Sequence, residues 1–329
     1  MKLHHLCHQR SIPINLSFSG MFTHASDIRR ELSVIGYKPE EMSFVQRGVM
    51  TDKFMFSQGG QRYIARCYPP GREWLAEMEY RYLKLFESFH AKVPKTCQFK
   101  KDGQAMLVYE MLEGYTLSEV YETLSDAVKE TLCRDIVIHY KKISGILETG
   151  FGQVTGYQTY AHTSWNDFLS EAIAGAATVF KTQGNKEKIQ LCRGLSAYAK
   201  RLPTIAPSLV WGDLSTDNII VKPDGTLVGF IDFEGLIAGD PLFGLGHLIA
   251  HEQETDFVNR LFRLYGVDDR QRVDFYAVLR YCRLLPYGSQ KLPNGAERMP
   301  IEQFLPYAYK RIRLFMQPGD AKGNIRDGI

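Results

Sequence analysis

The chain's 329 residues are 44% hydrophobic, enough to bury a large core, and the length predicts two domains or lobes. Its 40 Lys and Arg against 37 Asp and Glu leave a net charge of +3, which gives no argument for a nucleic-acid or anionic-membrane partner. No apolar run approaches the ~20 residues of a membrane-spanning helix, the first residues lack an apolar signal stretch, and the six cysteines form no C-x-x-C pair, so a reduced, cytoplasmic protein is expected.

Residues 1–24 lack periodicity and are expected to be flexible. They carry His4, His5, Cys7 and His8, a group with no second half at metal-ligand spacing. Ser26 can cap a helix through Ile28, Leu32 and Ile35 that ends near Gly36. Residues 42–47, 53–56 and 62–68 then read as an antiparallel meander, with a turn at Gly59 and Gly60 and a stop at Pro69 and Pro70. Gly48 sits where a loop can approach phosphates closely, although no G-x-G-x-x-G is present. Residues 73–89 form a helix, with Trp74, Met78, Leu83 and Phe86 on its apolar stripe. Strands are predicted at 94–99 and 105–109. Helices are predicted at 118–124, 126–147, 164–180, 186–201, 241–251, 252–265, 269–285 and 301–316. His247 and His251 stand four residues apart on one of these, a spacing that reads as an ordinary helix face in the absence of H-E-x-x-H.

The most informative segment is SLVWGDLSTDNIIV at 208–221, followed by LVGFIDFE at 227–234. Lys222-Pro-Asp-Gly225 is a turn signal between the two apolar runs, so the pair predicts a hairpin. Asp213 and Asn218 precede its first strand, and Asp232 ends the second apolar run. Metal-assisted phosphoryl transfer needs this set: one carboxylate to accept a hydroxyl proton, and an amide oxygen and a second carboxylate to hold magnesium against the nucleotide phosphates. A lone D-x-x-x-x-N arises by chance, and Asp and Asn beside turns are commonly caps. The glycine before Asp213, the hairpin and Gly239-Asp-Pro241 behind it select the functional reading.

These residues resemble the H-G-D-x-x-x-x-N catalytic loop and the I-D-[FW]-E strand of the aminoglycoside phosphotransferase and choline kinase superfamily, small-molecule kinases with a protein-kinase-like fold. The resemblance runs from about Asp27 to the region of Pro318. Gly150-Phe-Gly152 and the Ser164-Trp-Asn-Asp-Phe168 run are similar to the hygromycin and viomycin phosphotransferase branch. It implies an α+β, two-lobed architecture: a small antiparallel-sheet N-lobe (25–111) with one αC-like helix, a larger mainly helical C-lobe (112–317), and a flexible tail (318–329). It implies Asp213 as the base and Asn218 and Asp232 as Mg2+ ligands. Arg66 stands where the family has a lysine that pairs the nucleotide's phosphates, and Glu79, with Glu77 as competitor, stands where a helix carboxylate pairs that cation. Glu110-Met-Leu-Glu-Gly114 matches the interlobe hinge, where the backbone of Glu110 and Leu112 would hold the base of ATP or GTP.

Two further positions depart from the family pattern. Trp211 replaces the histidine before Gly-Asp, and Gly244 replaces an aspartate that braces the catalytic loop. The expected function is phosphorylation of a hydroxyl on a small, cationic acceptor, with an aminoglycoside-like or peptide antibiotic as the first candidate and choline, a sugar or an amino alcohol as metabolic alternatives. Glu234, Glu252, Glu254 and Asp256 are the acidic groups that would meet a polycation. A nucleotide-binding scaffold without turnover is the reading from another class.

Overall fold

The structure is a computed structural model describing residues 25–45, 51–68, 70–101 and 104–288. Gly48, the His and Cys residues of 1–24, the expected helix at 301–316 and the tail at 318–329 lie outside the described residues.

Alternation with a period of two builds the first sheet. After helix α1 (Ala25–Val34) come β1 (Met42–Val45), β2 (Asp52–Gln58), β3 (Gln61–Tyr68), helix α2 (Glu73–Ser88), β4 (Thr96–Lys101) and β5 (Gln104–Glu110). The strands pair antiparallel in the order β1-β2-β3-β5-β4. One face carries Phe54, Phe56, Ala65, Cys67, Met106 and Val108, which pack on Ile28 and Leu32 of α1. The opposite face carries Tyr68, Ala105 and Leu107 and joins the larger core with Leu75, Met78, Tyr82 and Phe86 of α2.

The rest of the chain is mainly helical, as expected, with short strands between its helices. It runs β6 (Tyr115–Thr116), α3 (Leu117–Val120), α4 (Asp126–Ser144), β7 (Phe151–Gly156), β8 (Thr159–His162), α5 (Trp165–Thr182) and α6 (Lys186–Ala199). It continues with β9 (Ser208–Trp211), β10 (Ile219–Val221), β11 (Leu227–Phe230), β12 (Leu236–Gly239), α7 (Leu242–Glu252), α8 (Asp256–Tyr265) and α9 (Arg270–Gly288). The predicted hairpin is β10–β11, to which β6 adds, and a second small sheet has the order β8-β7-β12-β9. The sequence did not announce β7, β8 and β12. Strand β12 is Leu-Ile-Ala-Gly, buried at every position, so it shows no alternation. Strand β7 contains Gly152 and Gly156, and its register is irregular against β8. Strand β12 is laddered between β9 and β7, and β7 in turn carries β8 at the edge.

The two lobes meet along α2. Tyr82 donates to Glu148 (3.1 Å) and Phe86 packs on Phe233 with ring centroids 5.1 Å apart. Behind α2, Phe230 N–H donates to Lys92 O (2.8 Å), and Lys92 Nζ to Leu227 O (2.6 Å), which locks the segment to β11. A Cβ at Gly229 would sit 2.8 Å from both Leu112 Cδ1 and Lys92 O. Gly229→Ala is therefore expected to push this seam apart and to lower stability by about 1–3 kcal/mol, measured as a shift in the urea midpoint at unchanged m-value.

Candidate active site

Strand β9 is buried at all four positions and delivers Gly212 and Asp213 to the cleft. Gly212 N–H donates to Gly235 O (3.2 Å), and a side chain at 212 would overlap that same carbonyl. The close approach of two backbones explains the glycine before Asp213. A short 3-10 turn, Thr216–Asn218, follows. Asn218 Nδ2 donates to Asp213 O (2.9 Å) and Asp213 Oδ2 (3.1 Å), so the amide oxygen is left for another partner. Asn218 O accepts from Ile231 N–H (3.0 Å), which places Asn218 and Asp232 side by side at one end of the β10–β11 ribbon. Strand β11 ends at Phe230, so Asp232 lies two residues beyond the strand rather than on it, with φ 66°. That left-handed conformation is costly for a residue with a Cβ and persists only where neighbours enforce it.

Trp211 is one of those neighbours. Its indole N–H donates to Asp232 O (3.0 Å), and its ring packs on Phe230 and Phe233 at centroid distances of 5.3 and 5.1 Å. The departure from histidine thus keeps a donor at this point while filling a fully buried space. The departure at Gly244 is also compensated. The hydroxyl of Tyr140 occupies the volume a side chain there would need, and it donates to Pro241 O (2.7 Å). The loop is braced from the other end of α7, where Glu252 Oε1 accepts from Thr216 N–H (2.8 Å) and Thr216 Oγ1 (2.7 Å). Glu252 also lies 3.1 Å from His251 Nδ1 and raises that imidazole above its ordinary pKa. Removing the brace with Glu252→Ala orphans a buried amide, and a loss of about 1–3 kcal/mol is expected in calorimetry.

Arg280 and Arg283 were not singled out from sequence, and His247 was read there as an ordinary helix face. Arg280 of α9 donates to Asp213 Oδ1 (3.2 Å) and to Gly212 O (3.4 Å). His247 Nε2 of α7 lies 3.2 Å from the same Oδ1 but out of hydrogen-bonding alignment, and burial holds the ring neutral. Arg283, one turn after Arg280, donates to Gln153 Oε1 (3.0 Å) and lies over Phe168. Burial pushes both guanidiniums down to about 10. Burial likewise pushes the Asp213 carboxyl above its ordinary value, Arg280 opposing and Asp232 adding to the rise. A signal was present: two arginines interrupt the apolar run of α9 on its inward side.

Across the cleft, Arg66 is 6% exposed and faces Glu79 at 3.4 Å, Asp232 Oδ1 at 3.4 Å and Glu234. Tyr68 donates to Glu79 Oε2 (2.6 Å) and lies 3.3 Å from the Tyr109 hydroxyl. Glu77, the competitor of Glu79, turns outward to Lys100 and Arg81. Burial pushes the Glu234 carboxyl up to about 7, with Arg66 opposing. At the hinge, Glu110 N–H donates to Lys95 O and Met111 N–H to Arg62 O, both at 2.9 Å, and Leu112 packs on Gly229.

The acidic groups expected to meet a polycation are committed elsewhere. Glu252 holds the catalytic loop, Glu254 pairs with Arg270 (3.1 Å), Asp256 pairs with Arg260 (2.8 Å), and Glu234 pairs with Arg66. Among the described residues no group of three or more His, Cys, Asp and Glu forms a ready cation site, and no helix is long and apolar enough to cross a membrane. A shallow depression lined by Tyr80, Arg81, Lys84 and Tyr157 lies on α2 and shares no residue with the cleft.

Solved structures share the overall fold. No curated protein matches the chain. A thermostable mutant of aminoglycoside phosphotransferase APH(4)-Ia, in ternary complex with ADP and hygromycin B, superposes with a TM-score of 0.68 at 16% identity, covering 90% of this chain and 99% of that one. ADP-bound aminoglycoside phosphotransferase APH(2'')-Ib gives 0.63 at 17% identity, covering 89% and 100%. A putative fructosamine-3-kinase from Haemophilus somnus 129PT gives 0.60 at 16%, covering 92% and 100%. These likenesses establish the two-lobed, kinase-like α+β fold. The profile described as "Phosphotransferase enzyme family" matches residues 41–276, well over half of the sequence, and the chain belongs to that family.

Proposed function

We propose that the protein is an ATP- or GTP-dependent kinase that phosphorylates a hydroxyl group of a small molecule. The observation that carries this reading is the convergence of Asp213, Asn218 and Asp232 at one end of the β10–β11 ribbon, facing the Arg66–Glu79 pair across the cleft. Asp213 orients the acceptor hydroxyl and takes its proton as the oxygen attacks phosphorus. The Asn218 amide oxygen and the Asp232 carboxylate would hold Mg2+. The donor set fits a hard cation, because the amide nitrogen is already bonded to Asp213 and the Asp232 carboxylate is 35% exposed. Bound there, Mg2+ would supply positive charge against the nucleotide's phosphates. The backbone of Glu110 and Leu112 holds the nucleotide base.

An aminoglycoside-like or peptide antibiotic is the first acceptor to test, because the structures that superpose on the chain include one with hygromycin B bound. A sugar, choline or an amino alcohol is the metabolic alternative, and the internal pairing of Glu234, Glu252, Glu254 and Asp256 favours giving it equal weight. The scaffold reading loses its motive, since Trp211 keeps a donor on Asp232 O and Glu252 braces the Thr216 turn in place of the absent aspartate. The test is incubation with Mg-ATP or Mg-GTP and panels of aminoglycosides, peptide antibiotics, sugars and amino alcohols, with mass spectrometry of products. One acceptor gaining a single phosphoryl group is the expected result. No product on any panel, together with no thermal stabilisation by either nucleotide, would overturn the reading.

A further inference from the structure

We propose that Lys53 on β2, rather than Arg66 on β3, is the cation that pairs the nucleotide's phosphates. The proposal rests on the nucleotide-dependent reading above.

Arg66 is already saturated. Nε donates to Thr51 Oγ1 (2.9 Å), Nη1 faces both Glu79 oxygens (3.4 Å), and Nη2 faces Asp232 Oδ1 (3.4 Å) and also pairs with Glu234. A guanidinium has five N–H donors in a fixed fork, and these contacts engage all three nitrogens. To reach a phosphate, Arg66 would have to leave buried carboxylates unpaired, a severe penalty in a low-dielectric site. Arg66 is therefore the tie that holds α2, β3 and the Asp232 segment together. It is not a free hand for a ligand.

The cluster is also negative as it stands. Three carboxylates, Glu79, Asp232 and Glu234, surround one guanidinium. A polyphosphate is repelled from such a site unless further positive charge is present. Lys53 supplies it. Its β2 position is directly opposite Arg66 in the β2–β3 ladder, and directly paired residues project from the same face of an antiparallel sheet. It is partly buried, and among the described residues its ammonium makes no ion pair within 4.0 Å. Its charge is felt by the same groups: burial and Arg66 lower its pKa, and Asp232, Glu234 and Glu79 oppose that fall. An ammonium on a flexible stem is a mobile point charge that binds phosphate without a fixed fork. The sheet thus divides the work between neighbouring strands, the fixed cation on β3 and the mobile one on β2.

Calorimetric titration of the full chain with Mg-ATP and Mg-GTP, each beside its nucleoside, tests this. Lys53→Met and Lys53→Gln are expected to weaken the nucleotide that binds wild type by roughly tenfold or more, with nucleoside affinity and melting temperature unchanged. Lys53→Arg is expected to recover most of the affinity. Unchanged Mg-nucleotide affinity in both neutral variants overturns the proposal and leaves the kinase reading standing. An equal loss for nucleoside and nucleotide also overturns it, because the residue would then act on the lobe as a whole. No binding of either nucleotide by wild type overturns the kinase reading itself, and the proposal with it.

Discussion

Asp213→Ala is expected to lower turnover by about 10²–10⁴-fold, the usual contribution of a positioned general base, while leaving Mg-nucleotide affinity within a few-fold of wild type. The division follows from where the side chain sits. Asp213 is held between Asn218 Nδ2 (3.1 Å) and Arg280 Nη2 (3.2 Å), on the C-lobe side of the cleft, and makes no contact with Arg66 or Glu79. Its loss removes the proton acceptor and the guide for the hydroxyl, and leaves the nucleotide side intact. It also leaves Arg280 buried without its carboxylate, a charge already disfavoured enough that burial lowers its pKa to about 10. Asp213→Asn, which keeps the shape, serves as the companion variant: it is expected to match the alanine in turnover and to retain more of the melting temperature. Steady-state rates on the identified acceptor, with titration of Mg-nucleotide in parallel, separate the two effects. Turnover near wild type in both variants would move the base to another residue.

The parts of the molecule that were legible in sequence are those encoded locally. The β10–β11 hairpin follows from apolar runs around a Pro-Asp-Gly turn, and Asp213, Asn218 and Asp232 are brought to one place because the hairpin fixes their separation. Glu79 kept Glu77 as a competitor in the sequence, and the structure separates them: Glu79 is buried on α2, whereas Glu77 pairs outward with Arg81 and Lys100. What was not legible depends on elements distant in sequence. Arg280 reaches Asp213 across 67 positions, and Lys53 becomes Arg66's neighbour only once the register of β2 on β3 is set. Strand β12 has no alternation because both its faces are covered, so it could not be told from a buried coil. The acidic residues near α7 and α8 looked like a surface for a cationic ligand. Their arginine, histidine and threonine partners, scattered over the fold, show why charge counts along a sequence overstate free charge on a surface.

Trp211 links the packing of the core to the geometry of Asp232, and its replacement is the strongest expected effect on stability. Trp211 is 1% exposed, and Trp211→Ala is expected to cost about 3–5 kcal/mol, because Phe230 and Phe233 cannot both collapse into the space without dragging α2 through the Phe86 contact. Trp211→Phe isolates the other half of the role. It keeps an aromatic ring among those neighbours but deletes the donor to Asp232 O, at a cost of about 1–3 kcal/mol for the unsatisfied carbonyl. Asp232 is in a left-handed conformation (φ 66°) that a residue with a Cβ adopts only under constraint, and the Trp211 N–H together with Arg66 supplies two of the constraints. Trp211→Phe is therefore expected to lower turnover more than its stability loss explains and to raise the Mg2+ concentration needed for half-maximal rate, with affinity for the nucleoside unchanged. Trp211→His, which restores a donor on a smaller ring, is expected to fall between the two in stability and nearer wild type in Mg2+ dependence. The measurement is a Mg2+ titration of rate beside calorimetric melting for all three variants. A Trp211→Phe protein that melts lower but needs no more Mg2+ than wild type would show that the indole serves packing alone and that Asp232 is held by Arg66 and its own backbone neighbours.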